Sequence, residues 1–160
     1  MANHPKEERT LVIIKPDGIL RGLVGEVLHR FERKGFRIVG LKFDHLTDEL
    51  LADHYAHIAD KPFFPAVAKF MKSAPSLMLV IEGKNVVAAV RAMGGVTNAA
   101  EAVPGTIRGD YALSIQQNVV HISEDLAAAQ VEVPRFFKST ELFDYDRADF
   151  GAIYSADELA

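Results

Sequence analysis

The stretch Thr10-Leu-Val-Ile-Ile-Lys15, followed at once by Pro16-Asp17-Gly18, decides how the rest of this chain can be arranged. A short run of β-branched and aliphatic residues is typical of a buried strand. The proline and the glycine directly after it mark a turn. The pattern therefore predicts a buried strand that ends at Lys15, with a turn immediately behind it.

The residues that follow predict an amphipathic helix and then a repeat of the same alternation. Between 23 and 34, hydrophobic residues recur at i, i+3, i+4 and i+7, and Gly35 suits the C-cap of that helix. The remaining predicted elements are a strand over 36–43, two short helices within 48–72, a strand over 76–82, a helix from Asn85 to Met93, a strand over 118–121 and a helix from 123 to about 133. Two βαβ halves predict an α+β fold of the ferredoxin-like type, βαββαβ, with helices packed on one face of an antiparallel sheet.

The composition of the chain fits one globular domain. Its 160 residues are 49% hydrophobic and 25% charged, which suffices for an ordinary core. We expect a single domain over 1–160, with its core in about 8–137. The acidic segment 138–160 carries four aromatic residues, Phe143, Tyr145, Phe150 and Tyr154. Because aromatic side chains favour burial, we expect this segment to dock at a subunit interface.

Charge and cysteine content exclude several classes of function. The 18 basic and 22 acidic residues give a net charge of −4, which argues against a broad nucleic-acid surface but is compatible with a local basic pocket. The absence of cysteine excludes disulfides, thiolate metal sites and a cysteine nucleophile. No hydrophobic run approaches the length of a membrane span, and the charged residues 1–9 do not form a signal peptide. We therefore expect a soluble, cytoplasmic protein.

A long connection, 96–117, is predicted to be mostly irregular, and such a loop in a compact domain usually has a function. Within it, the segment Pro104-Gly-Thr-Ile-Arg-Gly-Asp110 holds Arg108 beside a glycine. The planar guanidinium and the backbone room suit phosphate recognition, whereas a solvent-facing arginine in a turn is the alternative interpretation. No P-loop or dinucleotide-binding fingerprint occurs, so any nucleotide must be held in another way.

Histidine supplies the other candidate chemistry. His121 ends an apolar strand and is followed by Ser123 and two acids. Neutral imidazole is a competent nucleophile near neutral pH, although a core or capping histidine is the alternative. His54 and His57 lie three residues apart on a predicted helix and could bind a metal, but a solvated helix face explains them more simply. We predict no metal site built from protein ligands.

Six separated motifs occur in one order along the chain, Lys15-Pro-Asp-Gly18, Arg21-Gly-Leu-Val-Gly25, His54-Tyr55, Pro62-Phe-Phe64, Pro104-Gly-Thr-Ile-Arg-Gly-Asp110 and Asn118-x-x-His121-x-Ser123. Together they closely resemble the nucleoside diphosphate kinase family, and the likeness runs from about 8 to 137. The resemblance implies an enzyme that transfers the γ-phosphoryl group of a nucleoside triphosphate to a nucleoside diphosphate. It implies a ping-pong mechanism through a phosphohistidine at His121.

The resemblance also implies roles for the other candidate residues. Glu132 would orient the imidazole of His121 and Tyr55 would lie near it, so that with Lys15 they form the expected catalytic group. Phe63 would stack on the base. The residues implied to hold phosphate oxygens or the sugar are Lys15, Arg91, Thr97, Arg108 and Asn118, the last at the ribose. Mg²⁺ would arrive with the nucleotide. A homo-hexamer or homo-tetramer is implied, with no membrane or specific nucleic-acid partner.

Two departures from the family follow the histidine. The family usually has Gly-Ser-Asp there, whereas this chain has Ile122-Ser123-Glu124. If a positive φ were needed beside the nucleophile, Ile122 would displace His121, but a β-branched residue suits an extended backbone and we expect no displacement. Glu124 keeps a negative charge that can help to position Mg²⁺ through water.

Two other functions are compatible with parts of the sequence. One is a nucleotide-binding regulator or scaffold whose turnover is impaired by Ile122 and Glu124. The other is a single-stranded nucleic-acid binder, because RNA-recognition modules share this sheet architecture. The net charge of −4 and the absence of their basic-aromatic signature argue against the second.

Overall fold

The computed structural model describes residues 6–158, and it confirms the predicted ferredoxin-like α+β fold. Within that range one antiparallel sheet has the order β2-β3-β1-β4, formed by β1 (Glu7–Ile14), β2 (Arg37–Asp44), β3 (Ser76–Lys84) and β4 (Val120–Ile122). Strands β1 and β2 are both antiparallel to β3, which lies between them. They therefore run parallel to each other as a split βαβ unit.

Helices fill the connections between these strands. Their bounds are α1 (Pro16–Leu20), α2 (Val24–Lys34), α3 (Asp48–His54), α4 (Phe64–Met71), α5 (Val86–Gly94), α6 (Ile107–Tyr111), α7 (Leu126–Phe136) and α8 (Phe150–Ile153). Gly35 ends α2 at φ 104°, as the C-cap prediction requires, because a left-handed backbone favours glycine. The connection 96–117 is less irregular than predicted, since α6 and a 3₁₀ turn over Ala99–Glu101 lie within it.

Both faces of the sheet are covered, so the prediction of helices on one face was wrong. On one face, Val12, Leu79 and Ile81 pack with residues of α2 and α5. On the other face, Leu11, Ile13 and Val80 pack with residues of α3, α4 and α7. All six of these strand residues have 0% exposed surface. Strands buried on both faces read as continuous hydrophobic runs, which explains why β1 shows no alternation.

The segment after α7 lies along β2 of the same chain. The backbone N–H of Phe143 donates to the carbonyl of Val39 at 2.8 Å, and Arg37 donates to the carbonyl of Tyr145 at 2.6 Å. The aromatic side chains are only partly covered there, since Phe143 is 66% exposed. Docking of this segment at a subunit interface stays a prediction. Among residues 6–158, no helix has both the length and the hydrophobicity that a membrane crossing requires.

Candidate active site

A cavity of about 730 Å³ lies beside β4, enclosed by α3, α4, α7 and the connection that precedes β4. All the site residues predicted from the sequence line it: Lys15, Tyr55, Phe63, Arg91, Thr97, Arg108, Asn118, His121 and Glu132. These residues come from helices, strand ends and loops spread over the chain from 15 to 132. The fold thus brings together a histidine, a carboxylate, three basic side chains and two aromatic side chains around one space.

His121 is the reactive candidate that lies within the sheet itself, in β4. It pairs with Ile13 of β1 and therefore lies on the face that α3, α4 and α7 cover. Its Nε2 lies 3.2 Å and 3.3 Å from the two carboxylate oxygens of Glu132 on α7. Ser123, two residues further along the same face, donates from Oγ to Oε2 of Glu132 at 2.6 Å. These contacts fix the imidazole and leave its Nδ1 outside the pair.

Glu132 is an ionised carboxylate in this arrangement. Burial by itself would raise the pKa of Glu132, but the hydrogen bonds from His121 and Ser123 lower it below its ordinary value. An ionised Glu132 accepts a proton-bearing hydrogen bond and so favours the His121 tautomer protonated at Nε2.

His54 forms the wall behind this pair. Its ring packs edge-on against His121, with centroids 4.5 Å apart, and its side chain is 1% exposed. Burial, and secondarily His121, lower the pKa of His54 far below its ordinary value, so the ring is neutral. The solvated face expected for His54 was wrong, because this last residue of α3 is buried against His121, whereas His57 lies beyond the end of α3 and is exposed.

One group of potential metal ligands occurs within residues 6–158, namely His54, His121 and Glu132, whose ligand atoms lie within 4.8 Å of one another. His57 is not among them. The hydrogen bonds of Glu132 to His121 and Ser123 already account for two of the three residues. Both ring nitrogens of His54, in contrast, are buried without a hydrogen-bond partner in the described structure.

Two buried cations, Lys15 and Arg108, also line the cavity. Lys15 follows β1, is 7% exposed, and donates from Nζ to the carbonyl of Gln116 at 2.5 Å. Burial lowers the pKa of Lys15 to about 8, although the nearby Asp17 partly opposes this shift. Burial and the neighbouring Arg91 lower the pKa of Arg108 to about 10. Because burial removes water from around these cations, their attraction to a bound negative charge is strong.

Arg108 also braces the walls of the cavity. Its two terminal nitrogens donate to the carbonyls of Gly95 and Val120 at 2.6 Å and 2.8 Å. The first contact reaches the connection after α5, and the second reaches the residue before His121. The guanidinium is therefore held by β4 itself, at a fixed position relative to the histidine.

Asn118 and Thr97 line the cavity on the side of the connection 96–117. The Asn118 Nδ2 donates to the carbonyls of Thr97 and Ile115, at 3.0 Å and 2.8 Å. Its Oδ1 is buried and has no hydrogen-bond partner within the described part of the chain. A ligand hydroxyl group could donate to this oxygen.

Two aromatic residues complete the cavity. Phe63 stands at its mouth and is 55% exposed, which is unusual for a phenylalanine and suits stacking on a flat ligand. Tyr55 packs edge-on against His54 at 4.7 Å between ring centroids. Burial and Glu132 raise the pKa of Tyr55 to about 12, so its hydroxyl stays protonated and can donate.

The isoleucine after the histidine is accommodated by a glycine on α5. Ile122 lies in β4 with 3% exposure, and it is not among the residues with positive φ, as we predicted. A Cβ at Gly94 would lie 2.2 Å from Cδ1 of Ile122, so the isoleucine occupies the space that a side chain at 94 would need. Glu124 is exposed at the edge of the cavity.

This packing predicts a strong coupling between positions 94 and 122. We expect Gly94→Ala to destabilise the protein by about 1–3 kcal/mol through overpacking. Ile122→Val removes the clashing methyl group. The double variant should therefore lose less unfolding free energy than the two single variants lose together, by about 1 kcal/mol or more. Denaturant unfolding of the four proteins measures this coupling.

Gly25→Ala is the matched control, because Gly25 lies in α2 and a Cβ there meets nothing within 4 Å. That variant should be neutral or slightly stabilising. Additive effects of Gly94→Ala and Ile122→Val would show that the two positions do not compete for one space.

Sequence reasoning assigned no role to three residues that the structure places at the site. Ser123 stood in a quoted motif, yet its bond to Glu132 depends on where α7 lies. His54 was considered only for its spacing from His57 and was assigned to a solvated helix face, whereas α3 buries it against His121. Asp17 was noted only as part of a turn, although its carboxylate reaches the residue two positions before His121.

Comparisons with known proteins agree with this arrangement. The family model described as nucleoside diphosphate kinase matches residues 8–142. A nucleoside diphosphate kinase of Parabacteroides distasonis is 46% identical over 152 residues, which are 95% of this chain and 99% of that protein. The chain belongs to the nucleoside diphosphate kinase family.

Solved structures show the same fold. That of a nucleoside diphosphate kinase from Halobacterium salinarum in complex with CDP has a TM-score of 0.89 and 43% identity, covering 92% of this chain and 99% of that one. A transition-state mimic of the enzyme from Borrelia burgdorferi, with bound vanadate and ADP, has a TM-score of 0.84 and 36% identity, covering 90% and 95%.

Proposed function

We propose that this chain is a nucleoside diphosphate kinase, which moves the γ-phosphoryl group of a nucleoside triphosphate onto His121 and then onto a nucleoside diphosphate. The observation that carries the proposal is the pairing of His121 Nε2 with Glu132 at 3.2 Å inside a cavity lined by three basic side chains. A neutral imidazole held in this way has its lone pair on Nδ1, which is the atom that attacks.

The transfer needs little covalent chemistry from the rest of the protein. When Nδ1 of His121 attacks the γ-phosphorus, an N–P bond forms, the bond to the bridging oxygen breaks, and the nucleoside diphosphate leaves with the electron pair. Positive charge develops on the imidazole ring, and the Glu132 carboxylate at Nε2 stabilises it. A second nucleoside diphosphate then attacks the phosphoryl group, and the same steps run in reverse.

The three basic side chains stabilise the charge on the phosphoryl oxygens. Phosphoryl transfer depends mainly on positioning and on charge stabilisation by groups that are already in place. Lys15 and Arg108 are buried and are fixed by backbone carbonyls, so they need little reorganisation when the nucleotide binds. Arg91 is half-buried and lies with its guanidinium 3.5 Å from the carbonyl of Ile122.

The donor set fits Mg²⁺ that arrives with the nucleotide better than a resident ion. Mg²⁺ prefers oxygen ligands and keeps several waters when it binds phosphates. Of the carboxylates that line the cavity, Glu132 is engaged by His121 and Ser123, which leaves Glu124 to approach the ion. When bound, the ion neutralises charge on the phosphates.

Base and sugar recognition falls to Phe63, Asn118 and Thr97. Stacking on Phe63 uses a π-face that every base has, so we propose that the enzyme accepts all common bases with similar efficiency. The unpartnered Oδ1 of Asn118 is an acceptor for a ribose hydroxyl. Thr97 is exposed beside it and lines the same cavity.

Incubation with γ-labelled ATP, followed by a chase with GDP, tests the proposal directly. We expect an acid-labile, base-stable label on the protein that GDP removes as labelled GTP. A regulatory homologue with impaired turnover would bind ADP but take no label. That outcome would overturn the proposed activity.

The lowered pKa of Lys15 predicts the pH dependence of catalysis. Because the pKa of Lys15 is about 8, its amine is protonated and positively charged below that pH and loses the proton and the charge above it. We therefore expect kcat/KM to decline above about pH 8, since this parameter reports the free enzyme. The decline in kcat should begin at higher pH, because bound phosphates favour the charged amine.

Steady-state kinetics from pH 6 to 10 with the parent protein, Lys15→Met and Lys69→Met show whether Lys15 causes the alkaline decline. Lys69 is exposed on α4 and does not line the cavity, so its variant should keep the parent profile. Lys15→Met should lose the alkaline decline together with most activity. A parent profile that is flat to pH 9.5 would contradict this prediction.

We also propose that the protein acts as a homo-hexamer or homo-tetramer in the cytoplasm. Three large apolar side chains support an assembly through β2, since Leu41, Phe43 and Phe143 are 52%, 60% and 66% exposed. Light scattering of the purified protein gives the number of subunits, and a monomeric mass would contradict this proposal.

A further inference from the structure

Val119 has an unusual backbone conformation two residues before His121. Its φ is 72°, in the left-handed region that a β-branched residue rarely adopts. The N–H of Val120 donates to the carbonyl of Asn118 at 2.8 Å, which closes a three-residue γ-turn around Val119. Turns of this hand are rare and strained, and such strain persists only where surrounding contacts enforce it.

Asn85 is the only other non-glycine residue of the described chain, 6–158, with positive φ. It is exposed, and asparagine tolerates this conformation. Val119, in contrast, is a fully buried residue of a type that does not tolerate it. The strain at Val119 therefore requires a specific cause.

The Lys15-Pro16-Asp17 segment holds both polar groups of Val119. Asp17 accepts the N–H of Val119 through Oδ2 at 2.9 Å, and the N–H of Lys15 donates to the carbonyl of Val119 at 2.8 Å. Asp17 is 7% exposed, and its Oδ1 has no hydrogen-bond partner in the described structure. A carboxylate buried with one oxygen unpaired is costly, and two interactions offset this cost: the hydrogen bond from Val119 and the attraction of the nearby Lys15 ammonium.

This turn sets the path of the chain into the nucleophile. Asn118, on one side of it, is fixed by its contacts to Thr97 and Ile115, and Val120, on the other, pairs with Ile14 and accepts from Arg108. Val119 alone joins these two fixed ends. A change to negative φ at Val119 would redirect the backbone and displace His121 relative to Asn118 and Arg108.

We propose that Asp17 is a positioning residue for His121, which acts by holding the strained turn at Val119. The inference rests on the proposed phosphoryl transfer and adds to it a residue that contacts neither substrate nor nucleophile. The Asp17 carboxylate helps to keep Val119 at positive φ, and this conformation fixes the position of His121 relative to Asn118 and Arg108.

The test measures single-turnover labelling of His121 by ATP, together with ADP affinity by calorimetry. Asp17→Ala should slow labelling by about 10- to 100-fold, as expected for a small displacement of a reacting group, while ADP affinity changes by less than about threefold. Asp17→Asn should keep most of the rate, because the amide oxygen can still accept from Val119. Adding Val119→Gly to Asp17→Ala should recover most of the lost rate, because glycine adopts positive φ without strain.

Thr47→Ala is the matched control for stability. Thr47 caps α3, accepting from the N–H of Leu50 at 3.2 Å, so its loss destabilises the protein away from Asp17 and Val119. This variant should leave the labelling rate unchanged. If Asp17→Ala slows labelling no more than Thr47→Ala does, or if Val119→Gly fails to rescue it, the positioning role is wrong.

A thermal-unfolding cycle over Asp17→Ala and Val119→Gly keeps this inference separate from the proposed function. We expect Val119→Gly to raise the melting temperature less in the Asp17→Ala background than in the parent, because loss of the Asp17 bond already lets the Val119 backbone relax from its strained φ. Equal shifts would show that Asp17 does not hold Val119. A parent protein that takes no label would instead overturn the phosphotransferase proposal, and the cycle would still decide whether Asp17 holds the turn.

Discussion

His121→Ala is expected to abolish phosphoryl transfer, with kcat falling by a factor on the order of 10⁴ or more, because the only proposed nucleophile is removed. The protein should still fold and bind ADP, since Lys15 and Arg108 are held by backbone carbonyls rather than by the histidine. The measurement is the labelling assay with γ-labelled ATP, run beside calorimetry with ADP.

His45→Ala is the control for this substitution. His45 is exposed beyond the end of β2 and lies outside the cavity, so its variant should keep parent activity and parent labelling. An acid-labile, base-stable label that persists in His121→Ala would show that another residue carries the phosphoryl group. Loss of labelling together with loss of ADP binding would indicate a collapsed site and would contradict the independence of the phosphate-binding residues.

Arg108→Ala should raise the free-energy barrier of transfer by about 2–4 kcal/mol, a loss of roughly 30- to 1000-fold in rate. Two effects combine in this value. The substitution removes a preorganised cation, and it leaves the carbonyls of Gly95 and Val120 without their donor. Because Val120 adjoins His121, we expect the loss in kcat to exceed the change in nucleotide affinity.

Arg108→Lys and Arg21→Ala separate the two contributions. Lysine keeps the charge but cannot reach both carbonyls, so its variant should fall between parent and alanine. Arg21 is an exposed arginine that donates to the carbonyl of Tyr111 and does not line the cavity, and its loss should leave activity near the parent value. ATP, GTP and CTP should be affected alike by Arg108→Ala, whereas an effect on one base only would reveal base readout.

Local patterns were sufficient for most of the fold. The hydrophobic run of β1, the helical periodicity before Gly35 and the two βαβ halves predicted elements that the structure confirms. They could not show that both faces of the sheet are covered, because a continuous hydrophobic strand does not reveal which helices lie on which side. The position of β4 was also displaced, since Asn118 and Val119 belong to the γ-turn rather than to the strand.

For the candidate site, the sequence by itself determined the reactive residue types, their order along the chain and the motifs that resemble one family. Only the tertiary structure decided which of them meet and how each is held. Four contacts at the site join residues that lie 9 or more positions apart. They are the hydrogen bond of Ser123 to Glu132, the packing of His54 on His121, the packing of Ile122 against Gly94, and the hydrogen bond of Val119 to Asp17. Such contacts depend on the register of strands and the packing of helices, which no local pattern of residues encodes.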